Sequence, residues 1–287
     1  MIWKDYQKPK SHCEALDLLV QAGGKGRVIA GGTDLIPKLR KRAYACDLLV
    51  DITGIEELGR VWEEDGFIHI GAAVTHAEIA TDPVILKGAD ILARGCSKVG
   101  SPQIRNMGTL MGNVINAQPA ADGAIPLVAL ESELKVVSRT GERWLSIDEV
   151  YRGLGLSSID PMREIASEIR FKKIGETDRT GFFRMSRRKA LTLPVLNGAV
   201  VVLLDPSTKG IREARIALGP VAETPLRARA AEAFLKSNEA SRDVFLEAAR
   251  MASEESRPRT SYLRGSSAYR KEMVRVFLER TLLGLLG

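Results

Sequence analysis

Cysteine is scarce in this chain: Cys13, Cys46 and Cys96 are the only three in 287 residues. An odd number at wide spacing builds neither a disulfide framework nor an iron–sulfur site and fits reduced thiols. A cluster that works with this protein therefore has to sit on another chain. Histidine is equally rare, and His12, His69 and His76 are too scattered for a metal site. Aromatic residues make up 5% of the chain, and the aromatic–basic signature of RNA binding is absent, so no nucleic-acid partner is expected. No apolar run reaches the ~20 residues that a membrane span needs. The opening M-I-W-K-D-Y-Q-K-P-K has no apolar segment of the secretory type, so a cytoplasmic location is expected. Against these absences stand 45% hydrophobic and 27% charged residues, an ordinary composition for a chain with a real core. The length allows two domains or one large one. The net charge of +6 is concentrated in 170–189 and 257–280, which reads as solvated faces plus a protein–protein patch.

The most informative stretch is S-P-Q-I-R-N-M-G-T-L-M-G-N-V-I-N-A-Q-P-A-A-D at 101–122, uncharged except for Arg105 and Asp122. Between them lie Asn106, Gly108, Thr109, Gly112, Asn113 and Asn116. Small residues at close spacing let a backbone approach a ligand and aim several N–H groups at one place. Such a nest suits phosphate, with Asp122 able to accept from a sugar hydroxyl. The alternative is an ordinary Gly/Asn-rich surface loop. A second stretch, R-V-I-A-G-G-T-D-L at 27–35, reads as a short buried strand (Val28, Ile29, Ala30), a tight turn (Gly31, Gly32) and a helix start that Thr33 or Asp34 caps. Strand, glycine turn and helix start together face an anion with N–H groups. G-x-G-x-x-G and the Walker lysine are both absent, so neither the Rossmann nor the P-loop pattern applies. A dinucleotide pyrophosphate needs donors on both sides, and two glycine turns supply them.

A-G-G-T-D-L at 30–35, I-G-A-A-V-T-H at 70–76, and I-R-N-M-G-T-L-M-G-N with A-Q-P-A-A-D within 104–122 resemble the flavin subunit of molybdenum hydroxylases, the medium subunits of carbon monoxide, xanthine and aldehyde dehydrogenases. The resemblance runs in order from about Pro9 to the C-terminus. It implies an α+β fold: a two-part FAD-binding domain similar to that of vanillyl-alcohol oxidase and p-cresol methylhydroxylase, then a smaller domain of three antiparallel strands plus helices. It also implies non-covalent FAD, since no histidine interrupts A-G-G-T-D-L. The resemblance places Val28, Ile29, Ala30, Gly31, Gly32, Thr33, Asp34 and Leu35, with Ile104, Gly108, Thr109, Gly112 and Asn113, on the cofactor, mainly around its pyrophosphate. Asn116 and Asp122 match positions near ribose and adenosine, and Thr75 one near the isoalloxazine edge, although a helix cap explains Thr75 equally well. F-F-R-M-S-R-R-K-A-L at 182–191 resembles a further family segment in which Arg184 stands where lysine is usual, a cation that would stabilise a reduced flavin. Thr192 occupies a position that is aromatic in some relatives, so the openness of the site and its electron acceptor stay undecided.

Along the chain, helices are expected at 12–22, 34–41 and 83–100, a strand at 48–51, and a hairpin across Glu64-Asp65-Gly66. The stretch 101–122 reads as a loop, and Ile165, Ser167, Ile169 and Phe171 as an edge or half-buried strand. Three strands (181–186, 197–204, 211–218) and helices at 226–235, 242–253 and 268–286 follow, the last with Met273, Val276, Phe277, Leu282 and Leu286 on its apolar side. The polar segment 175–179 divides the chain into 1–175, itself split near 55, and 176–287. The expected function is electron transfer through FAD to an acceptor such as NAD or a quinone. Molybdopterin is expected on a large partner subunit and 2Fe–2S clusters on a small one. The alternatives are a free-standing FAD-dependent oxidase or reductase, and a non-enzymatic nucleotide-binding protein.

Overall fold

The computed structural model describes residues 2–205, 208 and 210–286. The first layer is β1 (Asp5–Gln7), α1 (His12–Gln21), β2 (Gly26–Ile29), α2 (Leu35–Arg40) and β3 (Leu48–Asp51), with a parallel sheet ordered β1-β3-β2. Ser11 starts α1 by accepting from the Glu14 N–H at 3.2 Å, and the helix buries Ala15, Leu16 and Leu19. β2 ends one residue earlier than the sequence suggests. Val28 and Ala30 are only half-buried, because they border a cleft.

The second layer opens with the hairpin of β4 (Val61–Glu64) and β5 (Phe67–Gly71), turned by Asp65 and Gly66, both at positive φ. Helices α3 (His76–Thr81), α4 (Pro83–Gly88), α5 (Asp90–Cys96), α6 (Pro102–Met107), α7 (Leu110–Ile115) and α8 (Ala124–Ala129) follow. Then come β6 (Glu133–Ser138), β7 (Gly141–Ser146), α9 (Ile147–Val150), the ribbon β8 (Tyr151–Gly153) and β9 (Leu156–Ser157), and β10 (Glu164–Lys172). The antiparallel sheet has the order β4-β5-β10-β6-β7. Three expectations change here. The single helix over 83–100 is two, broken at Ala89 (φ −165°, ψ 53°). The stretch 101–122 is not a loop, since α6 and α7 lie in it, started by Ser101 and Thr109. β10 is the central strand rather than an edge, and its alternation blurs because both faces are covered.

The third layer is β11 (Arg179–Met185), β12 (Leu196–Leu204), β13 (Ile211–Gly219) and β14 (Leu226–Arg227), followed by α10 (Arg229–Lys236), α11 (Arg242–Glu255) and α12 (Ser267–Leu283). Its antiparallel sheet has four strands, not three, because Leu226–Arg227 pairs with β13 before the helix begins. The buried stripe of α12 is Arg270, Val274, Leu278 and Leu282, and Leu286 is exposed. That i, i+4 series lies beside the expected one, because α12 packs against α11 and against β11 and β12 at once. One face of the sheet (Ala199, Val201, Ala217) joins the core of the first two layers. The other (Val200, Val202, Ile216, Leu218) joins the core under the helices. α8 is buried along its whole length and packs on β12 and β13, so the two parts of the chain share a core.

Candidate functional site

A cleft of about 390 Å³ opens between the first and second layers. One wall is 27–35 with Lys38 and Tyr44; the other is Ile104, Gly108, Thr109, Met111–Asn113 and Asn116; the ribbon residues Gly155–Ser157 close one side. The two glycine motifs touch each other. A Cβ on Gly31 would lie 1.8 Å from the Met107 carbonyl oxygen, and one on Gly108 would lie 3.3 Å from Thr33 Oγ1. Gly32 has φ +66°, a left-handed conformation that glycine adopts without strain.

The local sequence explains why donors face the cleft. The first residues of a helix have no carbonyl one turn back to accept their N–H groups. In the turn before α2, the N–H groups of Thr33, Asp34 and Leu35 donate to no group among the described residues. Asp34 sits at the cap position but, unlike the expectation, its side chain makes no capping bond; the N–H it would reach, that of Ile36, donates to the Gly32 carbonyl at 2.9 Å instead. On the opposite wall, Thr109 Oγ1 accepts from Gly112 N–H at 3.1 Å and fixes the start of α7. A Cβ on Gly112 would meet only that hydroxyl, at 3.0 Å, so its other side is open to the cleft. Asn113 Oδ1 is buried with no partner, a state that costs free energy unless a ligand supplies a donor.

Cationic groups complete the lining. Lys38 Nζ donates to Asn116 Oδ1 at 2.5 Å, linking the two walls. The Arg27 guanidinium stacks over Tyr44, 4.4 Å from the ring centroid, with its Nε unpartnered. His76, at the head of α3, is buried against the cleft, and its Nδ1 shares a hydrogen bond with Cys96 Sγ at 3.4 Å. Burial, with Arg105 nearby, lowers the His76 pKa to about 4, so the ring is neutral at pH 7. Burial likewise pushes the Cys96 thiol up.

Val28 to Leu35, Ile104, Gly108, Thr109, Gly112, Asn113 and Asn116 all line this cleft as the sequence suggests. Thr75, Asp122 and Arg184 do not. Thr75 forms a capping box with Glu78 and a β-bridge with Thr109, so it supports the wall from behind. Asp122 is spent on other partners: its Oδ2 accepts from Arg184 Nε at 2.9 Å and its Oδ1 from Asn197 Nδ2 at 2.8 Å. Burial raises the Asp122 pKa, opposed by Arg184 and Asn197. Asp122 and Arg184 bond each other across the two parts of the chain, outside the lining of this cleft. Lys38, Arg27, Tyr44 and the ribbon escaped sequence reading. Lys38 shows in the sequence only as a basic helix end, and the ribbon reaches the cleft through a contact no periodicity encodes, Gly155 N–H to the Ala117 carbonyl at 2.9 Å.

The arrangement suits an anionic ligand with apolar parts: unspent N–H groups, cations and glycines line the cleft together with apolar side chains. Residues 3–171 match the family described as the FAD binding domain in molybdopterin dehydrogenase. Residues 181–285 match the CO dehydrogenase flavoprotein C-terminal domain. The chain is 32% identical to the 6-hydroxypseudooxynicotine dehydrogenase complex subunit alpha of Paenarthrobacter nicotinovorans, over 97% of this chain and 93% of that one. It is 27% identical to the carbon monoxide dehydrogenase medium chain of Hydrogenophaga pseudoflava, over 97% and 95%. The structure of carbon monoxide dehydrogenase from Hydrogenophaga pseudoflava superposes with a TM-score of 0.91 at 28% identity, covering 99% of this chain and 97% of that one. Quinoline 2-oxidoreductase from Pseudomonas putida 86 follows at 0.88 and 26%, covering 99% and 96%. With both family models matched in order and a glycine-walled cleft in the first of them, the chain belongs to the FAD-binding medium subunits of the molybdenum hydroxylases.

Proposed function

We propose that this chain is the electron-passing flavin subunit of a cytoplasmic molybdenum hydroxylase. Electrons would enter from 2Fe–2S clusters on a small subunit, fed by a molybdopterin centre on a large one, and leave to NAD or a quinone. Bound FAD supplies the redox chemistry, accepting and releasing electrons; the protein binds and tunes it. The observation that carries the reading is the pairing of the two glycine walls around unspent backbone donors. In this reading the N–H groups of Thr33–Leu35 and, from the first turn of α7, that of Met111 hold the pyrophosphate, which approaches over Gly112. Asn113 Oδ1 accepts from the cofactor, and Lys38 adds charge while bonded to Asn116. Binding is non-covalent, since the 30–35 turn carries neither histidine nor cysteine.

The test is co-purification of the chain with its partner subunits at native expression, with metal analysis, absorption spectra and anaerobic mixing. Flavin on the isolated chain is expected to stay oxidised with aldehydes, purines and hydroxy-aromatics, and to be reduced by substrate only when the other subunits are present. Bleaching of the flavin by any of these compounds on the chain alone would replace the reading with a free-standing flavin enzyme.

A further inference from the structure

The positive charge of this protein is segregated. No Asp or Glu occurs in 91–121, 179–204 or 256–271, while these segments carry Lys98, Arg105, Arg187, Arg188, Lys189, Arg259 and Arg264, among other basic residues. The fold joins the three segments on one surface. The Leu191 N–H donates to the Gly100 carbonyl at 3.3 Å, Arg264 Nε to the Pro194 carbonyl at 3.2 Å, and Arg187 Nη2 to the Tyr262 carbonyl at 3.4 Å. Seven large apolar side chains among the described residues stand exposed on them: Ile104, Met107, Leu191, Leu193, Tyr262, Leu263 and Tyr269. Tyr262 is 95% exposed and Leu193 70%, and the bridge between Ser261 and Gly265 holds the turn that carries Tyr262 in place. Single exposed apolar residues are ordinary; several on linked segments within one charge sign are not.

The patch reaches the cleft. Ile104 lines the cleft, and α6 ends at the exposed Met107. A protein seated on this surface would rest beside the mouth of the FAD cleft. We propose that it docks an acidic, apolar-centred face of the electron-donating iron–sulfur subunit, an inference that rests on the function proposed above. The chemistry of the donor supports the match: four thiolates around a two-iron, two-sulfide cluster leave it net negative, and acidic surroundings suit a basic counter-face. Aromatic and apolar anchors at the centre with charges around them are the usual anatomy of such a contact.

The test uses the full chain loaded with FAD and the iron–sulfur and molybdenum subunits expressed with it. Assembly is measured by mass photometry across a salt series for the wild type and for the variants Leu191→Asp/Leu193→Asp, Arg187→Glu/Arg188→Glu and Tyr262→Ala. All five positions lie outside the cleft, so flavin content and circular dichroism should match the wild type. The double variants are expected to weaken assembly at least ~10-fold, Tyr262→Ala less, and the wild-type association should fall steeply with salt as exposed charges are screened. Wild-type assembly in both double variants, with flavin retained, would overturn the docking surface and leave the proposed function standing. Failure of the wild type itself to associate with the iron–sulfur subunit would overturn both. Binding of the wild type, but not of the variants, to vesicles containing phosphatidylserine, with assembly unaffected, would reassign the patch to a membrane surface and also overturn the proposal.

Discussion

Three glycines in the cleft do three different things. A side chain at Gly31 collides with backbone, since its Cβ would lie 1.8 Å from the Met107 oxygen and 2.9 Å from Gly108 Cα. Gly31→Ala is therefore expected to cost roughly 1–3 kcal/mol of stability, read by urea unfolding, because two chain segments must part. A side chain at Gly32 suffers from the left-handed backbone and from Ile29 Cδ1 at 3.0 Å, so its glycine is needed for the turn more than for ligand space. Of the three, only Gly112 has room for an added side chain, whose Cβ would meet just Thr109 Oγ1 at 3.0 Å. Gly112→Val is expected to unfold within ~1 kcal/mol of the wild type and to lose FAD affinity at least ~10-fold in a fluorescence titration; unchanged affinity would remove α7 from the binding site. His76 gives a pH signature. Its pKa falls from 6.5 to about 4 on folding, so the unfolded state takes up a proton first as the pH drops. Stability from this residue is complete above about pH 6.5 and is lost progressively towards pH 4, by about 3 kcal/mol in all. Unfolding free energies of His76→Gln should lack that slope, and a slope identical to the wild type would place its origin elsewhere.

At the scale of elements, the site is made by short helices whose starts are fixed by hydroxyl caps. Thr75 Oγ1 accepts from Glu78 N–H at 3.3 Å, and the Glu78 carboxylate accepts from the Thr75 backbone at 2.8 Å. Thr75→Ala is expected to cost about 1 kcal/mol. It should leave the FAD dissociation constant within ~2-fold, because the side chain caps α3 and the cleft is lined by Thr109 on the other side of their bridge. A large loss of affinity without loss of stability would return Thr75 to the flavin. The Thr75 cap was legible in the sequence; those of Ser101 and Thr109 were not, because the stretch they start reads as a loop. The break at Ala89 was not read, although Gly88 ends α4 just before it; α4 packs against the second sheet and α5 against α8.

Across the whole molecule, buried charge joins the two parts of the chain. Arg227 on β14 donates to Glu232 at 2.6 and 3.0 Å and reaches across to Glu131 at 3.1 Å and the Val128 carbonyl at 3.3 Å. The Asp122–Arg184 pair does the same at the other end of α8, with side chains only 6% and 9% exposed. Removing one partner of such a pair leaves a charge buried alone, so Arg227→Ala is expected to destabilise by about 3–5 kcal/mol. Because the two parts share a core, the chain should unfold in one calorimetric transition; two separated peaks would mean that each half is stable alone.

The sequence by itself determined the two glycine motifs, the strand, helix and strand around the first of them, the hairpin across Asp65-Gly66, and the basic character of 170–189. Each of these rests on local chemistry: positive φ, caps, alternation, or charge along a few residues. Only the tertiary structure decided that Gly31 meets Met107, that Lys38 reaches Asn116, that β10 is the centre of its sheet, and that Asp122 bonds Arg184 instead of lining the cleft. The reason is distance along the chain. Lys38–Asn116 and Asp122–Arg184 join residues more than sixty positions apart. A pairing of that kind leaves no periodicity in either segment and exists only once packing has brought the layers together.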